Sequence, residues 1–141
     1  MKDKLNARVK HRESFRPFAA SVLSEHQDDW FEQPFFAPTM EAVFPVKEHS
    51  KSKIPAVVHA DGSCRIQSVT REFQPFYYTL IEAFRKKTGV PMLLNTSFND
   101  SEPIVCTEED AIKCFMNCEM DLLAIGNRVF SRKSGALSLT G

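Results

Sequence analysis

The pattern of apolar and polar positions along the chain predicts a mixed α/β fold built around one buried strand. The strand lies within residues 90–94, a short apolar run typical of a sheet interior. It leads directly into residues 95–99, Asn-Thr-Ser-Phe-Asn. Ligands of α/β proteins commonly bind where such strands end. Asn and Ser also favour turns for local hydrogen-bonding reasons, so a polar turn without a ligand is the alternative interpretation.

The same pattern predicts further elements before and after this strand. A hairpin is expected over residues 54–69, where Asp61-Gly62 separates two apolar runs. The remaining expected elements are strands within 17–23, 41–46 and 121–130 (the last broken by Gly126), a short helical turn within 24–32, and a loose tail over 131–141.

Two helices are predicted from apolar residues at helical spacing. The first spans residues 75–88, ends at Gly89, and is expected to bury Tyr77, Leu80, Ile81 and Phe84. The second begins at a capping box formed by Thr107 and Asp110. Its expected buried side chains are Ala111, Ile112, Phe115 and Met116.

Chain length, net charge and the positions of the cysteines limit the classes of protein to which the chain can belong. The chain has 141 residues, which suits one domain over residues 1–141, and a formal net charge of +0. Neutral charge makes a nucleic-acid partner unexpected, although residues 1–16 carry six Lys or Arg against two acidic residues. Neither a signal peptide nor a membrane span is predicted, so we expect a cytoplasmic protein with reduced cysteines and no membrane partner.

Metal binding is not predicted. Cys114 and Cys118 lie one helical turn apart, but no second ligand pair follows at the spacing of a zinc site. Packing of both thiols in the core is the favoured interpretation.

Several cations could form an anion site. Lys10, Arg12 and Arg16 precede a predicted strand, and Arg65 follows the Asp-Gly turn. A cluster of such side chains suits phosphate, because Arg offers a planar fork and Lys a point charge. Taken singly, Lys10, Arg12 and Arg16 are each better explained as solvated surface charges than as ligand groups. The alternative for Arg65 is a cross-strand pairing with an acidic residue.

His59 and Asp61 are close enough in sequence to suggest acid–base chemistry. The alternative is a turn aspartate that satisfies its own backbone.

Three motifs together resemble the C-terminal region of the O-carbamoyltransferases, which include nodulation-factor and antibiotic carbamoyltransferases. They are NARVKHRESFRPFA at residues 6–19, HADGSCRIQ at 59–67, and LNTSFN at 94–99 followed by EPIV at 102–105. The resemblance covers almost the whole chain in the order of the family. Lys10-His11-Arg12 and Ser97-Phe98-Asn99 also match the KxR…SxN pattern of YrdC-type threonylcarbamoyl-AMP synthases.

This resemblance implies a YrdC-like fold, with a twisted mixed sheet and flanking helices. In the family this domain makes carbamoyl-adenylate from carbamoyl phosphate and ATP, with Mg²⁺ arriving on the ATP. A Kae1-like N-terminal domain then passes the carbamoyl group to a hydroxyl of a small-molecule or sugar acceptor. That domain and a Gly-Pro-Arg-Ala-Leu-Gly motif are missing here, so a fragment or a split protein is expected, with the Kae1-like domain as partner in cis or as a separate chain.

The resemblance also assigns roles to individual residues. Positioned cations and donors supply most of the acceleration in phosphoryl chemistry, so no nucleophilic side chain is required. We expect the cations to clamp phosphate and carbamoyl oxygens around one anion pocket, with the strand-end residues orienting the carbamoyl amide and the phosphate. The expected catalytic residues are Lys10, Arg65 and Ser97, and the expected substrate- and nucleotide-binding residues are Arg12, Arg16, Asn95 and Asn99.

Two other functions remain open from sequence. One is a module that binds a nucleotide or phosphate without turnover. The other is a structural module that docks on a Kae1-like partner, which predicts an exposed apolar patch.

Overall fold

The fold comes from a computed structural model that describes residues 1–11, 13, 15–99, 102–133 and 136–140, with the backbone alone at 133 and 136–140. It divides into two compact units, which comprise residues 1, 3–16 and 97–141, and residues 2 and 17–96. The prediction of a single domain over 1–141 stays a prediction. In chain order the elements are α1 (Lys2–Arg8), β1 (Ala19–Leu23), a 3₁₀ turn (Ser24–His26), α2 (Gln27–Trp30), β2 (Ala42–Pro45), α3 (Glu48–Lys51), β3 (Ser63–Val69), α4 (Pro75–Thr88), β4 (Met92–Asn95), α5 (Glu108–Asn117), β5 (Leu122–Ile125), β6 (Arg128–Lys133) and β7 (Ala136–Thr140).

The second unit contains a mixed four-stranded sheet in the order β2-β3-β1-β4. Strand β1 runs parallel to β3 and antiparallel to β4, and all five of its residues are buried. Pro45 lies in the edge strand β2, where a missing N–H costs no ladder bond. The predicted α/β class, a mixed sheet with helices against it, is confirmed.

The predicted hairpin over residues 54–69 is wrong. Only β3 forms a strand there, and it pairs with β1 and β2. Residues 55–57 form a turn instead of a strand, and Ile54 and Val57 are buried there. Alternating apolar residues show that side chains are buried but not which strand pairs with which. The turn itself forms at Gly62, which has φ 81°.

Helix α4 packs one face on the sheet and exposes another apolar face. Ile81 is fully buried in a cluster with Leu23 and Val69. The predicted burial of Leu80 and Phe84 is wrong, because these side chains are 57% and 38% exposed. With Phe76, which is 91% exposed, they lie at i, i+4 and i+8 on one side of the helix. We call Phe76, Leu80 and Phe84 the α4 strip.

The first unit is built around α5. Its predicted capping box is confirmed, with the Asp110 N–H donating to Thr107 Oγ1 and the Thr107 N–H donating to Asp110 Oδ2, both at 3.1 Å. The helix buries Ala111 and Phe115 against Leu123, whereas Met116 is exposed, contrary to prediction.

The C-terminal residues form a three-stranded antiparallel sheet in the order β5-β6-β7. Gly126, with φ 58°, separates β5 from β6, which fits the predicted break. The predicted loose tail is wrong, because β6 extends to Lys133 and residues 136–140 pair with it as β7. In the part of the chain that the structure describes, no helix is long and apolar enough to cross a membrane.

Candidate functional site

The ammonium group of Lys10 lies among the oxygen atoms of residues 97–99, all within the first unit. Lys10 follows α1, where its backbone N–H donates to the Leu5 carbonyl at 2.9 Å. Its Nζ donates to the Asn99 carbonyl at 2.6 Å and to Asn99 Oδ1 at 2.8 Å. It also lies 3.1 Å from the Ser97 carbonyl oxygen and 3.3 Å from Ser97 Oγ. The structure therefore brings together three of the residues singled out in the sequence.

Burial explains why these four contacts are made. Lys10 is only 8% exposed, and removing an ammonium group from water is costly unless acceptors replace the water. The group has three N–H donors, and four loop oxygens compete for them. The ammonium group therefore makes these hydrogen bonds to the loop at residues 97–99 in place of hydrogen bonds to water.

The loop at residues 97–99 is anchored from its other side as well. Ser97 Oγ donates to Asn99 Oδ1 at 2.6 Å, and Asn99 Nδ2 donates to the Glu102 carbonyl at 2.9 Å. The Val105 N–H donates to the Phe98 carbonyl at 3.0 Å, and the Phe98 ring packs on the core of α5. The loop conformation is therefore set by side chains and backbone from three directions.

In the second unit, Arg65 and Asn95 share one face of the sheet. Both are in register with Ala19 on β1, one on each side, so they lie two strand spacings, about 10 Å, apart. Ala19 and Val43 lie opposite Arg65, so the suggested acidic cross-strand partner is wrong. The guanidinium is exposed and makes no hydrogen bond or ion pair with the residues that the structure describes.

The amide of Asn95 is largely used within the sheet. Its Nδ2 donates to Ser21 Oγ at 2.8 Å and to Gln67 Oε1 at 2.9 Å. Ser21 Oγ in turn donates to Gln67 Oε1 at 2.8 Å. The three side chains form a polar cluster on the same face as Arg65, and they leave Asn95 Oδ1 as an acceptor for a ligand.

The other predicted cations are placed differently. Arg16 is half exposed and lies 4.0 Å from the carboxylate of Glu13. Arg12 lies outside the described residues. Lys10 and Ser97 belong to the first unit and Arg65 to the second, so the common anion pocket expected for all three stays a prediction.

For His59 and Asp61, the structure supports the interpretation of a turn aspartate over that of an acid–base pair. Asp61 Oδ1 accepts hydrogen bonds from Ser63 Oγ at 2.6 Å and from the Ser63 N–H at 3.0 Å. These two bonds hold the pKa of the Asp61 carboxyl below its usual value, the hydroxyl bond having the larger effect. Asp61 is therefore occupied by its own backbone neighbourhood, as a turn aspartate is.

Sequence reasoning missed a cavity of about 260 Å³ next to Asn99 in the first unit. Its lining residues are Asn99, Glu102, Pro103, Ile104, Val105, Asp110, Cys114 and Asn117. Cys114 and Asn117 stand three residues apart on α5, which was the available signal that they share a face. Two carboxylates line the cavity, so it suits a neutral group with N–H donors better than a phosphate.

No group of three or more His, Cys, Asp or Glu side chains is placed to hold a metal ion among the described residues. A Mg²⁺ ion carried by nucleotide phosphates needs no such protein cage.

Comparison with known proteins gives consistent matches. Residues 1–132 match the model of the family described as Carbamoyltransferase C-terminus. Nodulation protein NolNO of Sinorhizobium fredii is 44% identical over 139 residues, covering 96% of this chain and 20% of the relative. Nodulation protein NolO of Bradyrhizobium diazoefficiens is 42% identical over 140 residues, covering 96% and 26%. Nodulation protein U of Rhizobium tropici is 42% identical over 99 residues, covering 70% and 17%. The chain thus spans 17% to 26% of the length of these relatives.

Proposed function

The chain belongs to the carbamoyltransferase C-terminus family, and on that basis we propose that it is the part of an ATP-dependent O-carbamoyltransferase that forms carbamoyl-adenylate. The substrates are carbamoyl phosphate and ATP, and Mg²⁺ accompanies the ATP. The observation that carries the proposal is the Lys10 ammonium held against Ser97 and Asn99. These are residues of the two motifs by which the chain resembles enzymes that make acyl-adenylates.

In this reaction the role of the protein is to position the substrates and to stabilise negative charge. Hydrolysis of carbamoyl phosphate gives carbamate and phosphate. Attack of a carbamate oxygen on the α-phosphorus of ATP then releases pyrophosphate and concentrates negative charge on phosphorus oxygens. Donors and cations already in place stabilise that charge without reorganising during the reaction. Arg65 supports this role, because its guanidinium is exposed and is not used by any described residue. We assign Arg65 to phosphate and Asn95 Oδ1 to a substrate N–H.

The acceptor and the partner are further parts of this proposal. We propose that a Kae1-like domain, in cis or as a separate chain, transfers the carbamoyl group to a hydroxyl of a small molecule or sugar in the cytoplasm. The much greater length of the relatives supports a further domain.

Binding to the 141-residue chain tests this proposal. Isothermal titration calorimetry with ATP–Mg²⁺ and with carbamoyl phosphate is expected to give saturable heats with weak affinity. If neither compound gives a heat of binding, the proposal is contradicted. Binding of both without any pyrophosphate release on mixing would instead identify a binding module without turnover.

A second function, docking, is favoured by the α4 strip. Monomeric soluble proteins rarely expose a continuous row of large apolar side chains without a use for it. Phe76 and Leu80 are 91% and 57% exposed, as expected of a face that another protein surface covers. Docking and catalysis are compatible, because the strip lies on a helix that carries no proposed catalytic residue.

A further inference from the structure

The three side chains of the α4 strip are spaced symmetrically about Leu80. Phe76 lies four residues before it and Phe84 four residues after it, on one side of a continuous helix. All three side chains are exposed, and their spacing is the same in both directions along the helix. The strip is therefore complementary to a second α4 helix that runs antiparallel to it, with a two-fold axis at Leu80.

The charges in and beside α4 favour the antiparallel arrangement over the parallel one. Residues 82–88 carry one carboxylate and three Lys or Arg, whereas residues 71–79 carry one charge of each sign. In a parallel pair the two positive segments would meet and repel each other. In an antiparallel pair each positive segment lies beside the neutral segment of the other helix, and the dipoles of the two helices are opposed.

Two exposed charges give this pairing a specific contact. Glu72 lies eight residues before Leu80 and Lys87 seven residues after it, so an antiparallel pair places Glu72 of one copy beside Lys87 of the other. Neither of these two side chains makes a hydrogen bond or ion pair with a residue that the structure describes, and both are exposed. Arg85 and Lys86, the other two cations of the segment, already pair with Glu82.

We propose that the α4 strip is the contact surface for a second copy of this chain, and that the two α4 helices pair antiparallel about a two-fold axis at Leu80. This inference rests on the docking function and deepens it by naming the partner, and it does not depend on adenylate formation. The surface of a different protein would not require symmetrically spaced apolar positions. Three large side chains from each copy form a small interface, so we expect a weak dimer that dissociates on dilution.

Disulfide cross-linking tests the direction in which the helices pair. The two cysteines that are not buried are first replaced by Cys106→Ser and Cys114→Ser, and one cysteine is then introduced at position 76, 80 or 84. Copies of residue 80 meet at the axis, so mild oxidation is expected to give a covalent dimer of Leu80→Cys. Copies of residue 76 lie about 12 Å apart along the helices, too far for a disulfide. Phe76→Cys is therefore expected to cross-link with Phe84→Cys and not with itself.

Reversal of single charges tests the contact between Glu72 and Lys87. Glu72→Lys and Lys87→Glu are each expected to weaken dimerisation about tenfold at low salt, because the dimer contains two such pairs. The variant with both substitutions has opposite charges at the contact again and is expected to dimerise as the parent chain does. Sedimentation equilibrium measures the three dissociation constants. Glu32→Lys, the same change at an exposed position outside α4, is the control.

Contrary results would overturn the inference in two ways. Cross-linking of Phe76→Cys with itself, or equal dimerisation of all the charge variants, would exclude the antiparallel pair. A chain that stays monomeric at every concentration, or that dimerises equally after Phe76→Gln with Leu80→Gln, would exclude a second copy as the occupant of the strip. Adenylate formation would stand after any of these results, because exchange of pyrophosphate into ATP measures that reaction separately.

Discussion

Burial of a charge decides what Lys10 can do. An exposed lysine is a mobile point charge that can follow a ligand, whereas an 8% exposed lysine must keep the hydrogen bonds that replace its water. Arg65 is the opposite case, because its guanidinium is exposed and has no partner among the described residues. Sequence identified both residues but could not separate these roles, since burial of a side chain depends on contacts distant in the chain.

Arg65→Ala is expected to weaken ATP and carbamoyl phosphate binding about tenfold or more, because a hydrogen-bonded charge would be removed. The melting temperature is expected to stay within about 2 °C, since surface substitutions of this kind rarely alter stability. Calorimetry and thermal denaturation measure the two effects. Lys86→Ala, which removes the same charge from an exposed position on α4, is the control. A lowered melting temperature with normal affinity would make Arg65 structural.

At the scale of elements, α4 and α5 show that local sequence determines where a helix begins or ends but not which of its side chains are buried. Gly89 ends α4 with φ 77°, and the capping box begins α5, both as predicted from local chemistry. The apolar residues of α4 do recur at helical spacing. They form two faces of the helix, one packed around Ile81 and one exposed, and a single sequence does not show which of the two is buried.

The α4 strip predicts self-association of the chain in the absence of a partner. Phe76→Gln with Leu80→Gln is expected to lower the weight-average mass in sedimentation equilibrium toward that of the monomer. Thermal stability should not fall, because both side chains are exposed. Thr79→Gln, on the same helix but off the strip, is the control. If the double variant and the control sediment alike, the strip does not cause association.

The capping box of α5 predicts a pH-dependent contribution to stability. Hydrogen bonds from the Thr107 side chain, which has the largest effect, and from the backbone N–H groups of Cys106 and Thr107 lower the pKa of Asp110 below its usual 3.8. A carboxylate with a lowered pKa in the fold stabilises it above pH 3.8, and this contribution is lost as the pH falls through the lower native pKa. Urea unfolding at pH 7 should show Thr107→Ala destabilised by about 1 kcal/mol.

Asp110→Asn provides the control for the same bond. It should be less stable than the parent chain at neutral pH, and the difference should shrink at pH 3 and below. A difference that does not change with pH would show that the charge of Asp110 is irrelevant to the cap.

At the scale of the whole molecule, sequence predicted the class of fold and selected three residues that the structure brings together, Lys10, Ser97 and Asn99. The α/β class and β4 followed from apolar periodicity, and the family followed from three motifs. Strand pairing of residues 54–69, helix α1 and strand β7 were missed, because each depends on partners distant in sequence or on a polar segment without periodicity. The cavity beside Asn99 was missed for the same reason, since its lining comes from a loop and a helix.

Exchange of labelled pyrophosphate into ATP tests the central claim, adenylate formation, most directly. The chain is incubated with ATP–Mg²⁺ and ³²P-pyrophosphate, with and without carbamoyl phosphate, and the label in ATP is counted. Formation of carbamoyl-adenylate predicts incorporation that requires carbamoyl phosphate and is lost in Arg65→Ala. Absence of incorporation in a chain that binds both substrates would contradict the account.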